Sequence, residues 1–290
     1  MLDHPNFNPV ALDLGFMKIH WYGIMYLVAF AQFVLLGRFR LRSPHIAVLG
    51  WTKEHIDDML FYGVLGVVIG GRLGEVIFYQ PMYFLQHPWE IPMVWKGGMS
   101  FHGGFLGVLI AMSLWARQAK MPLVHVYDFI APLVPLGYAA GRFGNFINHE
   151  LPGRMASADL PWAMNWPDIP YPVHPSPLYQ MSVDGLLLFA IVWWFSRKQR
   201  PALAVGAVFV MFYGCARFFT EYFRTPDYEV SLLGMTISAG QMLSLPMIAV
   251  GALLLWMSYA GKFTPKNPPP VPSSAPDAKP SSKQKNKTKK

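Results

Sequence analysis

Apolar runs long enough to cross a bilayer recur along most of this chain, and that recurrence narrows its fold before any motif is read. A helix needs about 20 predominantly apolar residues to span the hydrocarbon core. Seven segments approach that length: residues 19–36, 57–79, 100–116, 127–146, 180–196, 204–222 and 237–259. Hydrophobic residues fill 53% of the 290 positions and charged residues only 14%, against roughly a quarter charged in soluble domains. The expected fold class is an all-α membrane protein with seven transmembrane helices.

The basic residues orient these helices. The first connection holds Arg38, Arg40, Arg42 and Lys53, the third Arg117 and Lys120, and the fifth Arg197, Lys198 and Arg200. The alternate connections hold only Lys96, Arg154 and Arg224. Cytoplasmic loops carry the excess of Lys and Arg, so the N-terminus is expected outside and the C-terminus in the cytoplasm. The longest connection, about 147–179, is long enough to form a small outer cap between helices four and five.

Two units follow: a membrane domain over residues 1–260 and a Pro/Ser/Lys-rich tail over 261–290. The tail holds eight of the 24 basic residues and too few apolar ones to bury a core, so it reads as disordered and cytoplasmic. The net charge of +8 thus lies largely in a tail and does not argue for nucleic acid. The single cysteine, Cys215, excludes a disulfide framework and is expected to be a small buried residue. The N-terminus has no basic region of the kind a cleaved leader carries.

With orientation assigned, polar residues fall at one level, the outer leaflet. His20 and Tyr22 open helix one, Arg72 and Glu75 lie in the outer half of helix two, and His102 opens helix three. Arg142 and Asn145 end helix four, with Glu150, Gly153 and Arg154 just beyond. Tyr213, Arg217 and Glu221 occupy the outer half of helix six. A charge at mid-bilayer costs roughly 2.5–3.5 kcal/mol on insertion scales. Local explanations exist for several of them: Arg217 and Glu221, four apart, can pair, and spacing three marks Arg72 and Glu75 as a structural pair. Neither accounts for five helices sharing one polar level. Glycines beside these groups (Gly70-Gly71, Gly97-Gly98, Gly103-Gly104, Gly141 and Gly144) let helices approach closely. Clustered arginines suit a phosphate, which guanidinium binds through two parallel hydrogen bonds. The inference is an outward-facing cavity for a phospholipid phosphate. No metal-ligand or nucleophile-elbow pattern is present, and no metal or cofactor is assigned. A transfer reaction at a phosphate ester and a lipid transporter or scramblase both remain open. The inner helix halves lack the polar groups a permeation path needs.

Five motifs resemble one family: His20-Trp21-Tyr22-Gly23, Gly70-Gly71-Arg72-Leu73-Gly74, Gly98-Met99-Ser100-Phe101-His102-Gly103-Gly104, Gly141-Arg142-Phe143-Gly144-Asn145-Phe146-Ile147-Asn148 and His174-Pro175-Ser176-Pro177-Leu178-Tyr179. They are similar, in order and spacing over about 8–260, to bacterial phosphatidylglycerol–prolipoprotein diacylglyceryl transferases. The resemblance implies a multi-pass enzyme of the bacterial cytoplasmic (inner) membrane, with a periplasmic N-terminus and its active site towards the periplasm. It would move the diacylglyceryl group of phosphatidylglycerol, among membrane lipids, to the lipobox cysteine thiol of a prolipoprotein signal peptide. The products would be a thioether and glycerol 1-phosphate. The family's signature arginine falls on Arg142, its histidine on His102, its tyrosine on Tyr22, its asparagine on Asn145 and its later glycine on Gly153. The second arginine, in Tyr-Gly-x-x-Arg, falls on Arg217, with Glu221 one turn on. The resemblance then implies that Arg142 and Arg217 hold the phosphate, that His102 or Glu221 takes the thiol proton, and that Tyr22 and Asn145 orient the headgroup. Glu150, Gly153, Arg154, Tyr213 and His20 are the further substrate-binding candidates. Two positions depart from the pattern: His149 stands where glycine is expected, and Glu75 where an uncharged residue is.

Overall fold

The structure is a computed structural model that describes residues 1–226, 228–232 and 235–264. The greater part of the expected tail therefore lies outside the described residues. Short strands β1 (Leu2–Asp3), β2 (Val10–Asp13) and β3 (Lys18–His20) lead into α1 (Trp21–Arg40). After α2 (Pro44–Ala47), α3 (Lys53–Gly74) runs on through a π turn at Glu75–Tyr79, followed by α4 (Pro81–Gln86) and α5 (Phe101–Gln118). Next come α6 (Leu123–Ile130) and α7 (Val134–Ile147), which a 3-10 turn at Ala131–Leu133 joins into one rod. Strands β4 (Met164–Asn165) and β5 (Pro172–Val173) precede a second composite helix: α8 (Ser176–Gln180), a π segment at Met181–Leu187, and α9 (Leu188–Phe195). The chain continues as α10 (Ala204–Thr220), the hairpin β6 (Glu229–Leu232) and β7 (Met235–Ser238), and α11 (Ala239–Tyr259).

Each of the seven expected apolar segments is therefore met by a helix. Among the described residues, five are long and apolar enough to cross a membrane: Trp21–Arg40, Lys53–Tyr79, Leu123–Ile147, Ser176–Phe195 and Ala239–Tyr259. The molecule is a mainly helical, multi-pass membrane protein. The other two helices fall short for evident reasons. α5 carries His102 in its first turn and closes on Arg117 and Gln118, and α10 has only 17 residues. The all-α expectation needs one correction. Seven short strands are described, because the connections at the polar end satisfy their backbone groups with one another instead of lying as plain loops. The expected cap between helices four and five is one such unit. β1 pairs in parallel with β4 and β4 antiparallel with β5, so the N-terminus also belongs to it.

Three helix starts, those of α3, α5 and α11, are marked by side chains that take up free backbone N–H groups. Thr52 accepts from His55 N at 3.3 Å and Ser100 from Gly103 N at 3.1 Å. At α11, Ser238 and Gln241 form a reciprocal capping box. Where Pro132 and Pro135 interrupt the α6–α7 rod, Gln32 of α1 donates to the Leu133 carbonyl at 2.9 Å, supplying a bond that lipid cannot.

The helices pack as antiparallel neighbours. A core of Ile56, Met59, Met112, Trp115, Val126 and Phe129 fills one end of the bundle. Trp51 stacks there on Phe129 with ring centroids 4.2 Å apart. The polar ends of the helices gather at the opposite end. α3 and α5 cross on bare backbone: a side chain at Gly74 would stand 2.7 Å from the Gly103 Cα, and one at Gly70 would collide with the Gly103 carbonyl. That approach puts Ser100 against α3, where its N–H donates to the Gly71 carbonyl at 2.9 Å.

Cys215 corrects another expectation, being exposed. Its neighbour Gly214 takes the face against α11, where a Cβ would meet Ile248 at 2.9 Å, and one residue on, the helix has turned away. Replacing Gly70 by Val would force α3 and α5 apart. We expect Gly70→Val to lose about 2–3 kcal/mol, the upper part of the usual range for overpacking. A lower midpoint of thermal unfolding in detergent would register this, and an unchanged midpoint would contradict the packing described.

Candidate active site

The last turn of α10 carries a buried ion cluster. Arg217 and Glu221, one helical turn apart, face the same way and meet at 2.6 Å between Nη2 and Oε2. From the following turn, Arg224 Nη1 reaches Glu221 Oε1 at 3.5 Å. Glu221 is only 1% exposed. Its carboxylate also lies over the start of α11, where a Cβ on Gly240 would fall 2.5 Å from its carboxyl carbon. Glycine is required there by space, and the positive end of the α11 dipole favours the negative charge. One Arg217 nitrogen, Nη1, is buried with no hydrogen-bond partner among the described residues, which leaves a donor for an anion.

Beside this cluster stands Asp184, 0% exposed, in the π segment between α8 and α9. Thr220 Oγ1 donates to its carboxylate, 3.1 Å from each oxygen, and Tyr138 Oη donates at 3.3 Å. The Arg142 guanidinium sits 4.7 Å over the Tyr138 ring. From there it donates to Asn145 Oδ1 at 3.2 Å, and Asn145 Nδ2 donates to Glu150 at 2.6 Å. The Tyr213 ring meets that of Tyr138 edge-on at 5.8 Å.

Other expected residues stand around this centre. Tyr22, half-buried on α1, packs on Gly144, where a Cβ would lie 3.0 Å from its ring. Gly153 is wedged between two strands of backbone: a Cβ there would lie 2.5 Å from the Phe223 carbonyl and would collide with that of His174. It thereby ties the loop after α7 to the end of α10, bridging to Arg224. Arg154 points elsewhere, donating to the Arg224 carbonyl at 3.1 Å and pairing with Glu229 of β6 at 3.0 Å. His20 is exposed at the end of β3, paired with Val10. His102 is exposed on the first turn of α5, its ring edge-on to Phe101. The structure therefore joins Arg142, Asn145 and Glu150 in one hydrogen-bonded set and Arg217 and Glu221 in another. It leaves His102 and His20 free of both.

The expected pair of Arg72 and Glu75 does not form among the described residues. Arg72 instead donates to the carbonyls of Glu90, Ile91, Gly97 and Gly98 at 2.6–3.2 Å and fastens that segment down. Glu75 accepts from Gln80 at 2.9 Å. Spacing three does place two residues on one face, but four carbonyls at loop distance satisfy a guanidinium more completely than one carboxylate. Tyr138, Asp184 and Thr220 were missed from sequence. For Asp184 the signal was present: an acidic residue inside an apolar span is a functional candidate by default.

Residues 9–257 match the family described as prolipoprotein diacylglyceryl transferase. A protein of Janthinobacterium sp. (strain Marseille) is 65% identical over 260 residues, covering 89% of this chain and 98% of its own. One from Dechloromonas aromatica (strain RCB) is 55% identical over 264 residues, covering 90% and 99%. Both are named phosphatidylglycerol–prolipoprotein diacylglyceryl transferase. This chain belongs to the prolipoprotein diacylglyceryl transferase family.

Within this diacylglyceryl transferase fold, the turn after α7 is stitched to the N-terminus. His149 adopts φ 59°, a left-handed conformation that costs an L-residue about 1–2 kcal/mol and explains why glycine suits the position. The His149 ring meets His4 edge-on at 4.7 Å, and Trp166 Nε1 donates to its carbonyl at 3.1 Å. His4 Nδ1 accepts from Asn6 N at 3.0 Å, so Nε2 carries the hydrogen and donates to the Phe146 carbonyl at 3.0 Å. Burial lowers the His4 pKa below its ordinary 6.5. The unfolded chain therefore takes up a proton first as pH falls, so stability held above about pH 6.5 drains away below it. Thermal unfolding of wild type against His4→Gln should show a drop between pH 7 and 5 that the variant lacks in part; parallel curves would contradict this. In the ion cluster, Glu221→Gln removes the buried carboxylate that Arg217 meets at 2.6 Å and should cost about 3–5 kcal/mol, as broken buried pairs do. The same melt measures it.

Proposed function

We propose that this chain transfers the diacylglyceryl group of phosphatidylglycerol to the lipobox cysteine thiol of a prolipoprotein, the reaction for which its relatives are named. The single observation that carries the site assignment is that Tyr138, whose ring supports the Arg142 guanidinium, and Thr220, three residues after Arg217, both bond the buried carboxylate of Asp184. The guanidinium groups of Arg142 and Arg217 grip the phosphate and offset charge that develops on departing glycerol 1-phosphate. Tyr22 and Asn145 orient the headgroup. The reaction breaks the bond between the diacylglyceryl carbon and the phosphate oxygen and forms a carbon–sulfur bond. The thiol proton must leave as the sulfur attacks.

The base for that proton is His102. One contrast supports it over Glu221: Glu221 is clasped by two arginines and almost wholly buried, whereas His102 is exposed at the polar end of the bundle. Glu150 belongs with the Asn145 side of the headgroup site, and Gly153 and Tyr213 shape its walls. Arg154 and His20 serve the rim, holding the β6 hairpin and the entry to α1.

In this reading all seven helices cross the bacterial inner membrane, with the N-terminus and active site periplasmic and the C-terminus cytoplasmic. Residues 1–260 form the transferase unit and 261–290 a cytoplasmic tail. The alternation of basic connections supports that orientation. The test is incubation of the purified protein with radiolabelled phosphatidylglycerol and a lipobox peptide. Wild type should form a labelled thioether; Arg142→Ala and Arg217→Ala should each lose about 100-fold or more in kcat/KM, and His102→Ala a comparable amount. Absence of product from wild type would overturn the activity, and undiminished rates in the variants would overturn the site.

A further inference from the structure

We propose that Asp184 is a positioning residue that fixes the spacing and aim of the two phosphate-binding arginines, an inference that rests on the phosphate reading of Arg142 and Arg217. The geometry is paired. On α7, Tyr138 lies one helical turn before Arg142, its ring supports that guanidinium at 4.7 Å, and its hydroxyl bonds Asp184 at 3.3 Å. On α10, Thr220 lies three residues after Arg217, and its hydroxyl bonds both oxygens of the same carboxylate at 3.1 Å. One buried carboxylate therefore holds each arginine-bearing helix within a turn of its arginine.

The backbone is shaped to deliver it. The π segment at Met181–Leu187 rotates the chain so that Asp184 points between α7 and α10, and π turns of this kind are frequent at functional sites. The next residue, Gly185, lets α7 come within touching distance: a Cβ there would lie 2.6 Å from the Ala139 Cβ. Ala139 in turn directly follows Tyr138. A side chain at Gly185, or a larger one at Ala139, would push Tyr138 off the carboxylate. Gln180, one turn earlier and also fully buried, sets its amide oxygen 3.4 Å from Tyr138 Oη, where it shares the one hydroxyl hydrogen with Asp184, and donates to Ser176 at 2.9 Å. That leaves Tyr138 little freedom to turn.

A carboxylate in apolar surroundings is expensive unless fully bonded, and a simple aliphatic contact would hold α7 and α10 together at less cost. What the carboxylate adds is register: hydroxyls on two helices must both reach it, so the helices cannot slide or rotate independently. A phosphate gripped from two sides needs that register, because an error of about 1 Å in placement costs about 100-fold in rate.

The experiment measures transfer from phosphatidylglycerol to a lipobox peptide by wild type, Asp184→Ala, Asp184→Asn, Tyr138→Phe and Thr220→Val, with a detergent melt of each. Asp184→Ala should raise KM for phosphatidylglycerol and lower kcat, for a combined loss of about 100-fold, with KM for the peptide unchanged. Asp184→Asn, whose amide oxygen still accepts both hydroxyls, should recover most of that loss. Asp184→Ala within twofold of wild type overturns the proposal. So does an equal rise in both KM values, which a general loosening of the bundle would produce. If Asp184→Ala fails to fold, Tyr138→Phe and Thr220→Val decide: each must raise KM for phosphatidylglycerol alone, and normal kinetics in both overturn it. An inactive wild type would instead sink the transferase reading itself, which separates the two failures.

Discussion

Everything at the polar end of this bundle depends on the carboxylate of Glu221 being held, out of water, between Arg217, Arg224 and the first turn of α11. Three charges in that setting are affordable only together. A lone buried carboxylate would take up a proton, and a lone guanidinium would draw in water or headgroups. Combined, they hold one another in place, with Arg217 Nη1 buried and without a hydrogen-bond partner among the described residues. They also join α10 to α11 where Gly240 has no side chain, so the electrostatic and steric requirements are met at the same residue. The hairpin β6–β7 springs from this junction, and Gly153 fastens the loop after α7 to it.

The second constraint is backbone proximity. Gly70, Gly74 and Gly103 let α3 and α5 touch, Gly144 admits the ring of Tyr22, and Gly185 admits α7. Without water to drive association in a bilayer, helices gain from van der Waals contact and interhelical hydrogen bonds. Small residues make both possible. The polar groups then arrive as consequences of packing: Ser100 meets α3 through a backbone bond, and Tyr138 meets Asp184 because Ala139 meets Gly185. A site assembled in this way is as rigid as the helix contacts beneath it.

How much of this was legible in the sequence follows from the range of each signal. Helix positions were readable because apolar length is a local property, and all seven segments came out helical within a few residues of the expected bounds. The convergence of Arg142, Asn145, Arg217 and Glu221 at one end was readable too, because alternating charge orients successive helices. The pairing partners were not. Arg72 sits three residues from Glu75 yet spends its donors on carbonyls up to 26 residues away, a choice fixed by how the segment after α4 folds back. Tyr138 looks like any aromatic in an apolar run until a carboxylate from another helix reaches it. Cys215 was misplaced because an apolar run does not say which face meets a neighbour and which meets lipid. His149 is a different case. The family pattern leads one to expect glycine there, and the left-handed backbone supplies the physical reason.

The buried and exposed members of the polar set divide by what each task tolerates. In the proposed reaction a phosphate needs charges that do not move, and packing supplies that: Arg142 rests on the Tyr138 ring and Arg217 pairs with Glu221. Accepting a proton from a thiol requires the opposite, a group that meets an incoming peptide and later gives the proton up to water. The Glu221 carboxylate is 1% exposed and engaged by two guanidinium groups, away from an incoming peptide. The imidazole of His102 is exposed and lies outside both hydrogen-bonded sets. Burial thus separates the candidates that sequence left level, and in the proposed reaction Glu221 holds an arginine while His102 exchanges the proton.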